Sequence, residues 1–261
     1  MRDSLILDNF FIFDFDLKGE EKFDIENNKI SLCLAKKTDR ELELIKNKYL
    51  HLEELSKLSK YTYTLKRRSF LLGRIVVKKL IAHHINNNSY SKDIKINNTI
   101  EGEPFIEGSN FNISIAHSDD LGAAVISPPC IKATIDIEYT AHLQKIDSSS
   151  FSNSDLYMFQ SILQQEAYVI QTCLWASKEA LVKFLGIGFT IPFDLLDLEK
   201  VVNYDTDIFF IYFKNFKSVK VVVIKEKGII LAICLSKPIN ITNLREFAIL
   251  FRFYINQIFI E

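Results

Sequence analysis

The stretch Thr134-Ile135-Asp136-Ile137-Glu138 places two acids on one edge of an otherwise apolar segment. In an extended strand alternate side chains share a face, so Thr134, Asp136 and Glu138 point to one side. The opposite side is apolar and is predicted to face the core; it consists of Ile131, Ala133, Ile135 and Ile137. Two carboxylates held side by side repel each other, and the repulsion is relieved by a raised pKa on one acid or by a bound divalent metal. Of these two remedies we favour the metal.

The composition indicates a globular chain with no overall charge preference. Its 261 residues are 48% hydrophobic, which is enough for one large domain or two smaller ones. With 32 basic and 33 acidic residues the formal net charge is -1, so neither nucleic acid nor an anionic membrane is predicted as a partner. Four cysteines occur without a Cys-x-x-Cys pair, a pattern that favours reduced thiols. Without a signal-peptide core or an uncharged apolar run of about 18 residues, a cytoplasmic protein is expected.

Helical and strand-like patterns occur in the same order twice along the chain. In the first half, an aromatic-rich strand and a charged helical stretch precede a strong helix, which is expected to end within Asn86–Ser91. The second half repeats the order, with a long helix that begins at a Ser161/Gln164 capping box and ends at Gly186. The first half is predicted to contain strands at 9–17, 93–96, 111–116 and 121–127 and helices at 39–61 and 64–85. The second half is predicted to contain a helix at 161–185 and strands at 208–213, 219–224 and 229–235.

This repeated order predicts two half-domains, residues 1–127 and 128–261. Pro128 and Pro129 are the expected hinge between them, directly before the acidic strand. A functional site between the halves is the geometric expectation.

On the second long helix Trp175, Glu179 and Lys183 recur every four residues and therefore share a face. Taken alone, this spacing favours a surface pair between Glu179 and Lys183, which is common and contributes only a few tenths of a kcal/mol. The alternative is that Glu179 supplies a third oxygen ligand to a cation at Asp136 and Glu138. Lys183 would then meet a phosphate or a leaving proton.

The first long helix carries Arg67, Arg74 and Lys78 within a narrow arc. Guanidinium groups in such an arc can bind phosphates, although composition alone favours a solvated basic strip.

Three further polar residues stand near the ends of predicted elements. His117 and Ser118 lie at a strand end, where a histidine is more often a satisfied loop residue than a ligand. Asp155 follows Ser152 by three residues, and this spacing suits a first-turn acid at a helix start.

Three of these polar stretches follow one another in a specific order: Ser114-Ile-Ala-His117-Ser118, Ile135-Asp136-Ile-Glu138, and Trp175-Ala-Ser-Lys178-Glu179-Ala-Leu-Val-Lys183 with Gly186-Ile-Gly188. Two weaker landmarks precede them, Phe70-Leu-Leu-Gly73-Arg74 and Gly102-Glu-Pro-Phe105. Together they resemble the two-half, surfactin-type (Sfp-like) 4'-phosphopantetheinyl transferases. The resemblance covers roughly positions 65 to 190, and the first 60 residues carry no diagnostic motif.

The resemblance implies an α+β fold of two similar α/β half-domains related by pseudo-twofold symmetry. Each half would be a long helix packed on a small antiparallel sheet, with the active site at their interface. The implied reaction transfers the 4'-phosphopantetheine arm of coenzyme A to a serine of an apo acyl or peptidyl carrier protein and releases 3',5'-ADP. Such enzymes, expected to be monomers, serve fatty acid, polyketide or nonribosomal peptide synthesis and use Mg²⁺, or Mn²⁺ in its place.

The resemblance also implies roles for individual residues by motif position. Asp136, Glu138 and Glu179 would be the metal ligands. Asp155 would match the acid that helps to activate the carrier serine, and Lys183 the lysine that assists departure of the ADP. The coenzyme A phosphates would be contacted by His117 and Ser118, with Arg74, Arg67 and Arg68 as helpers.

Three positions depart from the family pattern. Thr134 stands where a glycine is usual, Glu103 replaces a lysine, and Asp155 is shorter than the usual glutamate. These departures keep open a second hypothesis, a catalytically impaired relative that binds coenzyme A or a carrier protein without transfer. A third is a carboxylate-metal phosphohydrolase, against which the Trp-x-x-Lys-Glu run counts.

Overall fold

The computed structural model describes residues 10–19, 29–84, 92–141, 151–163 and 165–259. Two predicted features, the helix end within Asn86–Ser91 and the Gln164 member of the capping box, lie outside these ranges. Within the described ranges, six α-helices and two sheets form a mixed α+β fold, which confirms the predicted class. None of the helices described is both long and apolar enough to cross a lipid bilayer.

The chain divides into two compact units. The first comprises Met1–Leu17 with Asn27–Ala133, and the second comprises Lys18–Glu26 with Thr134–Glu261. The main boundary therefore lies directly before the acidic strand, whereas the sequence placed it between residues 127 and 128. The whole polar surface of that strand, from Thr134 onward, belongs to the second unit.

The first unit is an antiparallel sheet covered by a long helix. Its strands are neighbours in the order β1-β2-β6-β5-β4-β3. Helix α3 packs on β2, β5 and β6. In chain order the elements are β1 (Phe10–Lys18), β2 (Lys29–Lys36), α1 (Asp39–Tyr49), α2 (Leu52–Ser59), α3 (Thr64–His84), β3 (Ile96–Asn98), β4 (Pro104–Ile106), β5 (Asn112–Ser118) and β6 (Leu121–Ser127).

Two glycines allow α3 to lie close to its sheet. A methyl group at Gly122 on β6 would lie 2.6 Å from Cγ of Leu72 on α3. A methyl group at Gly73 on α3 would lie 2.9 Å from Cγ2 of Ile115 on β5. Because carbon atoms do not pack at such distances, the absence of a side chain at both positions sets how near the helix comes to the strands.

The second unit also places a long helix on an antiparallel sheet. Its strands are ordered β7-β11-β10-β9-β8, and α5 packs on β10 and β11. In chain order the elements are β7 (Ala133–Tyr139), α4 (Asn153–Gln160), α5 (Ala167–Leu185), β8 (Leu198–Asp205), β9 (Ile208–Phe213), β10 (Val219–Glu226), β11 (Ile229–Ser236), β12 (Asn240–Ile241) and α6 (Leu244–Ile258). Two short 3-10 turns, Gly188–Thr190 and Phe193–Leu196, lie between α5 and β8.

The ends of α5 test the capping predictions. Gly186 has a φ of 73° and donates to Val182 O and Lys183 O, so the predicted C-terminal glycine is confirmed. The predicted start is wrong, because α5 begins at Ala167 and Ser161 is the C-cap residue of α4. The Ser161 hydroxyl donates to Met158 O, one turn back in α4.

Other boundaries differ from the prediction in ways that do not alter the architecture. The charged stretch 39–61 is two helices, α1 and α2, each opened by a capping box, at Thr38 and His51. The strand predicted at 93–96 is β3, which begins at Ile96. Strands β2, β4, β8 and β12 and helices α4 and α6 were not predicted.

Candidate functional site

Strand β7 and helix α5 are joined by two polar contacts. The Thr134 hydroxyl donates to Ala180 O at 2.6 Å. Lys183 Nζ lies 2.7 Å from Asp136 Oδ1 and also donates to Ile135 O at 3.2 Å. Because Thr134 and Asp136 alternate along the strand, they share the face that meets α5.

Both faces of β7 are buried, which the sequence did not indicate. Ile135 and Ile137 are fully buried on one face, as predicted, and Thr134 and Asp136 are each only 4% exposed on the other. In the part of the chain that the structure describes, the second Asp136 oxygen, Oδ2, is buried without a hydrogen-bond partner. A buried carboxylate oxygen without a donor is costly, so this atom marks a place where a further positive group would be stabilised.

Four titratable groups around this junction act on one another. Burial raises the pKa of Asp136, and the Lys183 ammonium offsets part of that rise. Burial also raises the pKa of Glu179 to about 7, with Lys183 opposing the rise and the charge of Asp136 adding to it. Burial lowers the pKa of Lys183, but the charges of Asp136, Glu179 and Glu138 outweigh it and hold that pKa above its usual value.

The predicted surface pair between Glu179 and Lys183 is therefore wrong. The two residues are one turn apart on α5, yet the ammonium is bound to Asp136 of the neighbouring strand. Lys183 is 29% exposed, so the pair is neither freely solvated nor sealed from solvent. Both remedies considered for the acidic strand thus acquire a third, an internal lysine.

The three acids predicted as metal ligands are not gathered at a single point. Within residues 10–19, 29–84, 92–141, 151–163 and 165–259, no three Asp, Glu, His or Cys side chains converge closely enough to hold a metal ion. Mg²⁺, however, is usually held by only one or two carboxylates, with water and substrate phosphate completing its shell. Asp136, through its unpartnered Oδ2, and Glu179 fit such an ion as oxygen donors.

Asp155 lies elsewhere in the second unit and is fully buried. Its backbone N–H is capped by Ser152 Oγ, so the predicted position in the first turn of a helix is confirmed. Its carboxylate accepts from the Leu198 backbone N–H at 3.0 Å and lies 2.9 Å from Lys178 Nζ. Asp155 thus links α4, α5 and the start of β8, and its part in activating a serine stays a prediction.

Lys178 is the polar residue of this region whose role the sequence did not reveal. It is 1% exposed, and its ammonium lies 5.9 Å from the Phe151 ring and 5.5 Å from the Phe193 ring. The signal was present in the helical spacing, since Lys178 stands four residues after Leu174 and three before Leu181, both fully buried. Its place in the motif beside Glu179 obscured that spacing.

Trp175, the first residue of the third motif, packs against the core of the second unit. Its ring stacks on Phe193, with centroids 6.0 Å apart. This contact covers the buried Lys178, because the same Phe193 ring faces that ammonium. Trp175 is thus a packing residue in this structure, on a different side of α5 from the Asp136–Lys183 pair.

Two arginines predicted to help bind coenzyme A phosphates are engaged by acids of α1. Arg67 Nε lies 2.6 Å from Glu43 Oε1, and its Nη1 donates to Leu58 O. Arg68 meets Asp39 with two parallel contacts of 2.5 and 2.8 Å. Phosphate binding by either guanidinium would have to compete with these pairs.

Arg74 and Lys78 are buried, so the predicted solvated basic strip is wrong at both positions. Glu54 of α2 pairs with Lys78 and lies 3.5 Å from Arg74 Nε. Arg74 also donates to Asn98 Oδ1 at 2.7 Å and stacks over Phe70, and burial lowers its pKa. These contacts hold α2 and β3 against α3.

His117 and Ser118 end β5 as predicted. His117 is exposed and Ser118 is buried, and they pair in register with Gly122 and Leu121 of β6. The hairpin turn that follows places Asp119 at a φ of 47°, a left-handed conformation that aspartate tolerates better than most residues.

Comparison with known proteins assigns no family to this chain. No protein-family model matches the sequence, and no curated protein matches it. A proposal of function therefore rests on the polar motifs and on the geometry around Asp136.

Proposed function

We propose that this chain is a Mg²⁺-dependent 4'-phosphopantetheinyl transferase, which moves the phosphopantetheine arm of coenzyme A to a serine of an apo carrier protein and releases 3',5'-ADP. One observation carries the proposal: Asp136 of the Ile-Asp-Ile-Glu motif and Lys183 of the Trp-x-x-Lys-Glu motif are in contact at 2.7 Å. The two motifs are separated by a helix and a connecting segment, so nothing in their spacing alone requires them to meet. Their meeting supports the single site that the resemblance implies.

In this proposal the acids hold the metal and the diphosphate. Asp136 Oδ2 and the Glu179 carboxylate would be protein ligands, and Glu138, whose charge also acts on Lys183, would add negative charge or a third ligand. Bound Mg²⁺ would neutralise the diphosphate oxygens and the charge that develops during phosphoryl transfer.

Lys183 would act on the leaving group. Because neighbouring acids raise its pKa, its ammonium stays protonated at neutral pH. A protonated Nζ can donate a hydrogen bond to the oxygen on which negative charge accumulates as 3',5'-ADP departs. The Asp136 contact would fix the direction of that donor before coenzyme A binds.

Activation of the carrier serine needs an acceptor for its proton. Glu179 has a pKa of about 7 and is only partly buried, so it can accept a proton near neutral pH. Asp155 is fully buried and paired with Lys178, so its predicted role requires that this pair open. Of the two acids, Glu179 is the better placed for the task.

The remaining predictions for coenzyme A stay part of the proposal. His117 and Ser118 would contact its phosphates, with Arg74, Arg67 and Arg68 as helpers. The pseudo-twofold duplication of two half-domains also belongs here, supported by one long helix on an antiparallel sheet in each unit.

A second candidate function is binding of coenzyme A or a carrier protein without transfer. The observation that favours it is the complete burial of Asp155 in a pair with Lys178, which removes one predicted catalytic group from solvent. Calorimetry separates the two candidates, because this one predicts binding of coenzyme A with no modified carrier as product.

The test is the intact mass of apo carrier proteins incubated with the purified chain, coenzyme A and Mg²⁺. A panel of fatty acid, polyketide and peptide synthetase carriers covers the expected substrates. Transfer predicts that at least one carrier gains the mass of the arm, and that EDTA or a Ser→Ala change in the carrier abolishes the gain. Binding of coenzyme A without a mass change in any carrier would favour the second candidate. Phosphate release from coenzyme A without a carrier would favour a phosphohydrolase.

A further inference from the structure

Two lysines of the first unit approach the same buried aromatic ring. Lys37 follows directly after β2, and Lys79 lies on α3. Their ammonium groups are 5.0 and 5.6 Å from the centre of the Phe10 ring, which begins β1. Lys37 is 5% exposed, Lys79 is 9% exposed and Phe10 is 1% exposed, so two positive charges share one enclosed region.

The acids around these lysines do not balance their charge. Among the residues that the structure describes, no carboxylate lies within 4 Å of Lys79 Nζ. Lys37 has Glu41 at 3.8 Å, a long contact to an exposed side chain whose other oxygen accepts from Thr38. A buried ammonium costs free energy unless an anion accompanies it, and one aromatic face offsets only part of that cost.

A neighbouring thiol confirms that the two charges act on the same place. Burial raises the pKa of Cys33 on β2, and the charges of Lys79 and Lys37 both act in the opposite direction. The thiol itself is fully buried and neutral, so it does not supply the missing negative charge.

The start of α1 adds to the positive character of this region. Its N-cap residue, Thr38, follows Lys37 directly, so the positive end of the helix dipole lies beside the lysine backbone. The first-turn acid Asp39 is neutralised by its two contacts with Arg68. Glu41 is the remaining acid of that turn.

We propose that Lys37 and Lys79 form a binding site for a dianionic phosphate group, supplied either as inorganic phosphate or as a phosphomonoester. Two ammonium groups match two negative charges, and lysine binds phosphate oxygens as a compact point charge with three donors. The site lies wholly within the first unit and uses none of the residues assigned to phosphopantetheine transfer. It therefore stands or falls independently of the proposed function.

Isothermal titration calorimetry of the full chain tests this site. Inorganic phosphate and phenyl phosphate are titrated separately at constant ionic strength in chloride buffer with EDTA, which removes divalent ions. We expect Lys79→Met to weaken phosphate binding at least tenfold. Lys66→Met is the matched control, because Lys66 lies on the same helix over the Tyr61 ring but is exposed; it should bind phosphate as the wild type does.

Thermal unfolding supplies a readout that does not depend on heat of binding. Phosphate should raise the midpoint of the wild type and leave that of Lys79→Met unchanged, because only a ligand of the folded state stabilises it. Binding of both probes assigns the site to phosphomonoesters, and binding of inorganic phosphate alone assigns it to the free ion. No binding by the wild type, or equal binding by the wild type and Lys79→Met, would overturn the proposal and leave an adventitious ion only.

Discussion

Lys183 of α5 binds Asp136 of β7 with its ammonium 2.7 Å from one carboxylate oxygen, while the other oxygen of the same carboxylate is buried without a donor. This pair fixes the helix of the third motif to the strand of the second. It also leaves Glu179, one turn before Lys183, with a pKa raised to about 7. The electrostatics of this junction give several measurable consequences.

Binding of Mg²⁺ should depend on pH in a direction set by Glu179. The ion must displace the proton that this carboxyl holds below about pH 7, so affinity should increase as pH rises from 6 to 8. Calorimetric titrations of Mg²⁺ across that range measure the effect. In Glu179→Gln the binding should be weak and nearly independent of pH, whereas Glu246→Gln, at an exposed position on α6, should match the wild type. An affinity for Mg²⁺ that does not change between pH 6 and 8 would count against Glu179 as a ligand.

Stability should change with pH through the same carboxyl when no metal is present. The folded-state pKa of about 7 lies above the ordinary value of 4.5, so Glu179 contributes stability that is fully present below about pH 4.5 and lost as pH rises through 7. Glu179→Gln removes that loss, and at pH 8 it should be more stable than the wild type by up to about 3 kcal/mol. Urea denaturation at pH 5 and pH 8 measures the difference, and a wild type that gains stability relative to the variant at pH 8 would contradict it.

Removing the Lys183 ammonium should expose the cost of the buried Asp136 charge. Lys183→Met is expected to lower the free energy of unfolding by about 2–3 kcal/mol, less than for a fully buried pair because Lys183 is 29% exposed. In an Asp136→Asn background the same change should cost less than about 1 kcal/mol, since no charge is left unpaired. Urea denaturation of the four proteins gives the coupling. Equal costs in both backgrounds would show that the two side chains do not interact.

The Asp155–Lys178 pair should contribute far more to folding than a surface pair of the same chemistry. Lys178→Met leaves Asp155 as an uncompensated charge at a fully buried site, and a loss of about 3–5 kcal/mol is expected. Lys217→Met, which breaks a pair with Glu199 at the surface, should cost less than about 1 kcal/mol. The two variants are compared by chemical denaturation. Similar losses for both would mean that burial of the Asp155 pair carries no special weight.

The close approach of α3 to β6 predicts an effect of adding one methyl group. Gly122→Ala would place that methyl 2.6 Å from Leu72 Cγ, so the helix or the Leu72 side chain must move. A loss of about 1–3 kcal/mol in the free energy of unfolding is expected. Trimming Leu72 to alanine in the same chain should recover part of this loss, so the double variant is more stable than the sum of the single changes predicts. Strict additivity would argue against the contact.

Sequence periodicity predicted the long helices and the strands at 121–127 and 208–213 because each has a repeating apolar pattern and a clear end. It could not predict the start of α5, since Ser161 serves as a cap for α4, an element that was not expected. The strand β2 was also missed, although its residues are nearly all buried. A strand buried on both faces lacks the alternation that marks a half-exposed one.

The candidate site was predictable in its members and not in its pairing. Spacing placed Glu179 and Lys183 on one helix face, and this local relationship suggested that they pair. The actual partner, Asp136, is a contact between elements far apart in sequence, which helical spacing cannot reveal. Thr134 shows the same limit: it departs from the family glycine, yet its hydroxyl binds Ala180 O and holds the strand to the helix.

The mass of an apo carrier protein after incubation with coenzyme A and Mg²⁺ tests most directly whether the acids at the β7–α5 junction support phosphopantetheine transfer. Wild type and Glu246→Gln should add the arm to a carrier serine at equal rates, and Glu179→Gln should be slower by orders of magnitude while remaining folded. Transfer at an undiminished rate by Glu179→Gln, or no transfer by the wild type to any carrier of the panel, would contradict this account.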